Sequence, residues 1–131
     1  MGINVIAVAR RNEGLLETKA LGVSSNIHVL LGDVSTEEGR NAVVSRVSEL
    51  KIENGINFVV HNAGLVGPIC GTEEISYSEW KKVMELNVDA PLFLTQKLLP
   101  LMSTKYSPRI LHVGSGAAHS AVDGWYVQAC F

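Results

Sequence analysis

Short apolar runs alternate with longer amphipathic stretches along this chain of 131 residues. The apolar runs are rich in valine, isoleucine and leucine and have little polar alternation, which is typical of strands buried on both faces of a parallel sheet. The amphipathic stretches repeat their apolar residues at helical spacing. The pattern predicts strands at Ile3–Val8, Ile27–Leu31, Phe58–Val60 and Arg109–Val113.

Three helices are predicted between these strands. The first is Asn12–Leu21, which a glycine closes. Ser35 and Glu38 form a capping box that begins the second helix, and another capping box begins a long third helix, Ser76–Leu101. Because strands and helices alternate, we expect an α/β fold in one domain, with a doubly wound, Rossmann-like parallel sheet and right-handed crossovers.

Composition narrows the class of protein and of partner. Hydrophobic residues make up 47% of the chain and charged residues 18%, as in a soluble globular domain. A net charge of -2 gives no electrostatic reason to expect a nucleic acid or a membrane as partner. Cys70 and Cys130 have neither zinc nor disulfide spacing, and the four histidines lack metal-ligand spacing. We therefore expect a cytoplasmic protein without a metal.

Polar side chains follow the carboxyl ends of the predicted strands, where parallel sheets bind their ligands. Arg10 and Arg11 suit a phosphate group, or they are two solvated surface charges. Asp33 contacts a ligand or turns the chain before the second helix. Asn62 fits a ligand crevice and also an ordinary strand-ending turn. Ser115 stands between glycines that would let a substrate approach its hydroxyl group closely.

The third helix carries one polar residue on its apolar face. Asn87 lies among residues that share this face at helical spacing, so its amide should join a hydrogen-bond network. Pro91 has no N–H to donate to the carbonyl of Asn87, four residues earlier, so the helix should kink there and that carbonyl is freed for a water or a ligand. Asn87 therefore serves either a binding site or the packing of the helix.

Taken together, these residues resemble the short-chain dehydrogenase/reductase family. The resemblance rests on five features in order: Arg10, Asp33-Val34, Asn62-Ala63-Gly64, Asn87 and Ser115. Within the family the chain is most similar to the sepiapterin reductase and benzil reductase type, through residues 8–11, 115–118 and 124–125. The resemblance implies a Rossmann-like fold and NADP-dependent transfer of a hydride between a nicotinamide and a carbonyl or alcohol group.

The resemblance also implies a role for each residue that contacts the cofactor. Arg10 would hold the 2′-phosphate of NADP (NADPH in the reductive direction). Asp33 and Val34 would border the adenine, and the segment Asn62-Ala63-Gly64 would line the cofactor and brace the sheet. Two positions depart from the family's commoner residues, since His61 replaces an asparagine and Gly114 replaces a serine.

Two residues are implied in the chemistry itself. Asn87 would anchor the water of a proton relay, and Ser115 would hydrogen-bond the carbonyl group of a small-molecule substrate. A hydrolase using Ser115 has little support, because the residues around it do not form a nucleophile elbow. The long helix Ser76–Leu101 is the surface through which we expect a homo-oligomer to form.

Two parts of the family pattern are missing. No glycine-rich turn precedes Ile3, and the family's catalytic tyrosine falls on Gln128. Tyr126 is nearby, but Cys130 stands where a lysine should follow it. We therefore expect an incomplete fold that lacks the first, central strand and the strands after the fifth, with residues 1–125 family-like and residues 126–131 an aberrant tail.

An incomplete fold has consequences for stability and activity. Strand edges that normally flank the central strand would be unpaired, so we expect marginal stability or direct pairing of those edges. Without the glycine-rich loop and the tyrosine and lysine, we expect this form to be inactive. The alternative is a non-catalytic binding or regulatory fragment that pairs with a full-length subunit.

Overall fold

The computed structural model describes residues 3–21, 26–120, 122–125 and 127. The chain divides into two compact units, Met1–Glu53 and Asn54–Phe131. The described strands form two separate two-stranded sheets, one in each unit, and both sheets are parallel. This is the α/β architecture expected of an incomplete Rossmann-like sheet, and the predicted fold class is confirmed.

The first unit is a strand–helix–strand–helix unit. Its elements are β1 (Val5–Ala9), α1 (Asn12–Leu21), β2 (Ile27–Leu31) and α2 (Glu37–Glu49). The two strands pair in register, from Val5 opposite Ile27 to Ala9 opposite Leu31. The buried apolar side chains of the helices are Leu15, Val43 and Val47.

The predicted capping box at Ser35 and Glu38 is wrong. Helix α2 is capped by Thr36, whose hydroxyl oxygen accepts a hydrogen bond from the N–H of Gly39 at 3.1 Å. Ser35 is instead part of the turn at Asp33, since its N–H and its hydroxyl group both donate to Oδ1 of Asp33, at 3.0 and 2.7 Å. The Asp33 turn therefore moves the helix start one residue along the chain.

The second unit contains the long helix between two strands. Its strands are β3 (Phe58–His61) and β4 (Arg109–His112), which pair from Phe58 opposite Arg109 to His61 opposite His112. The helical segment consists of α3 (Tyr77–Met84), a π turn (Glu85–Asp89) and α4 (Ala90–Leu98), followed by a short 3-10 turn (Leu99–Leu101). Its buried side chains are Val83, Leu86, Ala90, Leu94 and Leu98.

The start of this helix agrees with the sequence prediction. Ser76 and Glu79 form the predicted capping box, in which each residue's side chain bonds the other's backbone N–H. The regular α-helix is interrupted at Asn87 by the π turn, in which the N–H of Ala90 donates to the carbonyl of Glu85. Since Pro91 has no N–H for the carbonyl of Asn87, the α-helical hydrogen-bond pattern cannot continue through this point.

Nothing in the described helices is both long and apolar enough to cross a membrane.

The core of the second unit depends on the buried face of α4. Leu98 is 4% exposed, whereas the next residue, Leu99, is 54% exposed. We predict that Leu98→Ala lowers the free energy of unfolding by about 2–5 kcal/mol, because it removes buried surface and leaves a cavity. The matched control, Leu99→Ala, should change it by less than about 0.5 kcal/mol. Urea denaturation followed by circular dichroism measures both, and equal effects would contradict the assignment of the core face.

Candidate functional site

An open cavity of about 330 Å³ lies at the carboxyl ends of β3 and β4 in the second unit. Its size is at the lower end of the range for small-molecule sites. Both strands deliver their last residue and the loop that follows to this cavity, as expected for a parallel sheet. The lining residues are His61, Asn62, Ala63, Gly64, Asn87, Pro91, His112, Val113, Gly114 and Ser115.

Five residues predicted for the site from sequence therefore come together here: Asn62, Ala63, Gly64, Asn87 and Ser115. The other three predicted residues, Arg10, Asp33 and Val34, belong to the first unit. The position assigned to the family's tyrosine, Gln128, lies outside the described residues, as do Tyr126 and Cys130.

Asn87 joins the helical segment to the loop that follows β3. Its Oδ1 accepts a hydrogen bond from the N–H of Leu65 at 2.9 Å, and its Nδ2 donates to the carbonyl of Leu65 at 3.0 Å. The amide thus makes its predicted hydrogen bonds with the backbone N–H and the backbone carbonyl of one residue, Leu65. The side chain fixes the loop next to Gly64, where a Cβ atom would lie 3.9 Å from Oδ1 of Asn87, an ordinary van der Waals distance.

Ser115 begins a short 3-10 turn, Gly116–Ala118, and caps it. Its Oγ accepts a hydrogen bond from the N–H of Ala117 at 3.2 Å. The hydroxyl proton is not used in this bond. Ser115 is therefore held in place as an acceptor while it keeps a proton that it can donate to an oxygen atom in the cavity.

Two histidines in the cavity were not predicted as site residues. The rings of His61 and His112 are stacked, with centroids 4.8 Å apart and an angle of 29° between the ring planes. Nε2 of His61 is also hydrogen-bonded to Oγ1 of Thr95 on α4, at 2.8 Å. Burial lowers the pKa of His61 below its usual value, and the nearby His112 lowers it further.

The first unit gathers its predicted residues around the turn after β2. Nη1 of Arg10 lies 3.8 Å from Oδ2 of Asp33. The carbonyl groups of Val34 and Ser35 both accept hydrogen bonds from Nη1 of Arg40, at 2.9 and 2.8 Å. Arg40 was not predicted, since an arginine on an amphipathic helix gives no sign of a bond to the preceding turn.

Gly39 lets α2 approach this turn. A Cβ atom at position 39 would collide with the backbone carbonyl of Asp33, so only glycine fits there. The close approach brings the first turn of α2 against the Asp33 backbone, whose carbonyl also accepts hydrogen bonds from the N–H and the hydroxyl of Thr36. The backbone of Asp33 is therefore held in place by the close packing of Gly39 and by the hydrogen bonds from Thr36.

Asp33 has a lowered pKa that should be measurable. Burial opposes ionisation, but the hydrogen bonds from Ser35 and the charge of Arg10 outweigh it and hold the pKa below its usual 3.8. Because the folded-state pKa is depressed, this contribution to stability is present above the unfolded pKa and is lost as the pH falls through the folded value.

We predict that Ser35→Ala raises the pKa of Asp33, since it removes the hydroxyl donor. Carboxyl-carbon NMR titration between pH 2 and 6 measures this pKa. Ser45→Ala, at an exposed position of α2, is the control and should leave it unchanged. An unshifted Asp33 in the Ser35 variant would show that the hydroxyl does not stabilise the carboxylate.

The Asn87 bonds also lead to a prediction. We expect Asn87→Ala to lower the free energy of unfolding by about 1–3 kcal/mol, because two hydrogen bonds to the loop are lost. Amide hydrogen exchange at Leu65 should become faster by the same mechanism. Gln96→Ala, at an exposed position of α4, should alter neither quantity. Unchanged exchange at Leu65 in the Asn87 variant would contradict the bonds described.

The comparison with known proteins agrees with this geometry. The family model for short chain dehydrogenases matches residues 1–130. The chain therefore belongs to the short-chain dehydrogenase/reductase family of oxidoreductases. The proposed likeness to sepiapterin and benzil reductases stays a prediction.

Two curated relatives and one solved structure illustrate the match. The rhamnolipid-biosynthesis 3-oxoacyl-[acyl-carrier-protein] reductase of Pseudomonas aeruginosa is 30% identical over 92% of this chain and 48% of its own length. The NADP-dependent 3-hydroxy acid dehydrogenase YdfG of Escherichia coli is 29% identical over 88% of this chain and 46% of its own length. A closed serine dehydrogenase complexed with NADP+ is 28% identical and superposes with a TM-score of 0.81, over 98% of this chain and 51% of that one. The chain thus spans about half the length of the relatives it matches.

Proposed function

We propose that this chain carries part of the NADP(H) site and of the carbonyl site of a cytoplasmic carbonyl reductase. The observation that carries the proposal is the cavity in which Asn62, Ala63, Gly64, Asn87 and Ser115 meet. The names of the relatives support NADP, since one is an NADP-dependent dehydrogenase and one structure is an NADP+ complex. The family's nicotinamide supplies the hydride when it is bound.

The first unit has the donors and acceptors that an adenosine phosphate requires. The side chain of Arg10 is 59% exposed, so its guanidinium group has donors left for a 2′-phosphate. Asp33 uses Oδ1 to hold Ser35, while its Oδ2 faces Arg10. We propose that Arg10 binds the phosphate and that Asp33 and Val34 border the adenine.

In the second unit, Ser115 has the chemistry required of a carbonyl-binding group. Its hydroxyl group is oriented by Ala117 and retains a proton to donate. A donor placed before the reaction stabilises negative charge on a carbonyl oxygen without reorganisation. We propose that Ser115 donates to the substrate carbonyl and that Asn62-Ala63-Gly64 forms the cavity wall against the cofactor.

Asn87 is proposed to act through its backbone. Its side-chain amide accepts one hydrogen bond from Leu65 and donates another to it, so the amide attaches the loop to the helix. Its carbonyl cannot receive the usual helical bond from Pro91, which lacks an N–H. We propose that this carbonyl holds the water of a proton relay.

We also propose that this form is inactive as a reductase. The position to which the resemblance assigns the general acid is Gln128, and a neutral amide cannot protonate an alkoxide. The long helical segment is the proposed oligomer surface, because Tyr77, Leu92 and Leu99 are exposed apolar residues along it.

The role of Arg10 can be tested by binding alone. NADPH titration, followed by nicotinamide fluorescence, should give a tighter complex than NADH. Arg10→Ala should weaken NADPH binding by about 10- to 100-fold, since a charge-assisted contact to the phosphate is lost, and should leave NADH binding unchanged. Lys19→Ala removes a positive charge from the last turn of α1 and is the control. Equal weakening of both nucleotides by the Arg10 variant would contradict phosphate recognition.

A further inference from the structure

The stacked histidine pair gives the cavity two imidazole rings, which the proposed reductase chemistry does not use. His61 ends β3, His112 ends β4, and the parallel register sets them directly opposite each other. Residues directly opposite each other on paired strands point to the same side of a sheet, so both imidazole rings lie side by side on one face. Both residues line the cavity together with Ser115 and Asn87.

The cavity has no charged side chain among its described lining residues. Apart from the two imidazoles, those residues are amides, one hydroxyl, glycines and apolar groups. From the helical segment, the neutral Thr95 is bonded to His61, and the neutral residues Asn87 and Pro91 line the cavity. The lining does not include the charged residues of that segment, which are Glu79, Lys81, Lys82, Glu85, Asp89 and Lys97.

We infer that the His61–His112 pair is a proton-dependent subsite for an anionic group, a carboxylate or a phosphate, on a small ligand. One added proton gives a cavity without other lining charges a single positive charge, together with N–H donors that an anion can accept. The subsite would select acidic carbonyl substrates, and in that respect it rests on the proposed function.

The stacking explains why the pair should take up a second proton less easily than a first. Two imidazolium ions at 4.8 Å would repel each other, whereas one imidazolium can stack on a neutral ring. Burial already keeps His61 neutral to lower pH than usual, so an anion is needed to stabilise its protonated form.

Because proton binding and anion binding are thermodynamically linked, the inference can be tested without a substrate. An anion that binds only the form in which His61 is protonated raises the apparent pKa of His61, and its affinity falls as the pH rises through that pKa. A tenfold preference for the protonated form corresponds to a rise of about one pKa unit. The exposed His119 lies outside the lining residues and should not respond.

The experiment is a histidine NMR titration of the 131-residue protein labelled with ¹³C-histidine. Imidazole shifts are followed from pH 5 to 8 in sodium acetate, in inorganic phosphate and in sodium chloride at equal ionic strength. We expect acetate or phosphate to raise the apparent pKa of His61 relative to chloride, and the imidazole shifts of His119 to be the same in all three salts. A response to acetate alone assigns the subsite to carboxylates, and a response to phosphate alone assigns it to phosphate groups.

Two variants separate the pair from general charge effects. His112→Asn should abolish the anion-dependent shift at His61, whereas His119→Asn should retain it. A ¹⁵N–¹H spectrum of each variant establishes that it is folded. If His112→Asn is not folded, His61→Asn, which places the family's commoner residue there, replaces it, and the anion-dependent change is then read from the imidazole shifts of His112. Equal pKa values of His61 in all three salts, or an equal anion-dependent change at His119, would overturn the inference.

The result is independent of NADPH. An anion-dependent shift in a protein that does not bind NADPH would support the subsite and contradict the proposed reductase function. NADPH binding without any anion-dependent shift would support the proposed reductase function and contradict the subsite.

Discussion

The paired hydrogen bonds between Asn87 and Leu65 are the constraint on which the site in the second unit depends. A side-chain amide has N–H donors and a carbonyl acceptor in nearly the geometry of a peptide group, so it can pair with the backbone as a neighbouring strand would. The pairing attaches the loop after β3 to the helical segment. As a result, residues from the strand ends and from the helix line the same cavity.

The π turn serves the same constraint. Pro91 has no N–H to donate to the carbonyl of Asn87, so the α-helical hydrogen-bond pattern is broken where Asn87 must face the loop. The π turn accommodates one extra residue at this break. The apolar face continues through the interruption, since Val83 before it and Leu94 after it are both buried. The helix therefore keeps its packing on both sides of the turn while one of its residues is engaged with the loop.

The strands, the helix start at Ser76 and the cluster at the carboxyl ends follow from local pattern, so they could be predicted from the sequence. The choice between Ser35 and Thr36 as a cap could not, because both hydroxyl groups can accept the bond and the path of the chain through the Asp33 turn decides which one reaches the N–H of Gly39. The histidine pair also could not be predicted by spacing. His61 and His112 are far apart in the chain, and only the register of β3 with β4 places them together.

The same register determines which side chains lie on the opposite face of this sheet. Parallel strands with continuous apolar runs require cover on both faces. Alternate residues of β3 point away from the histidine face, and two of them, Phe58 and Val60, are 63% and 57% exposed. The neighbouring residues Leu111 and Val113 are exposed as well. The pattern that identifies a buried parallel sheet is thus satisfied on the helix side only, and the exposed apolar surface on the other side favours association over solvation.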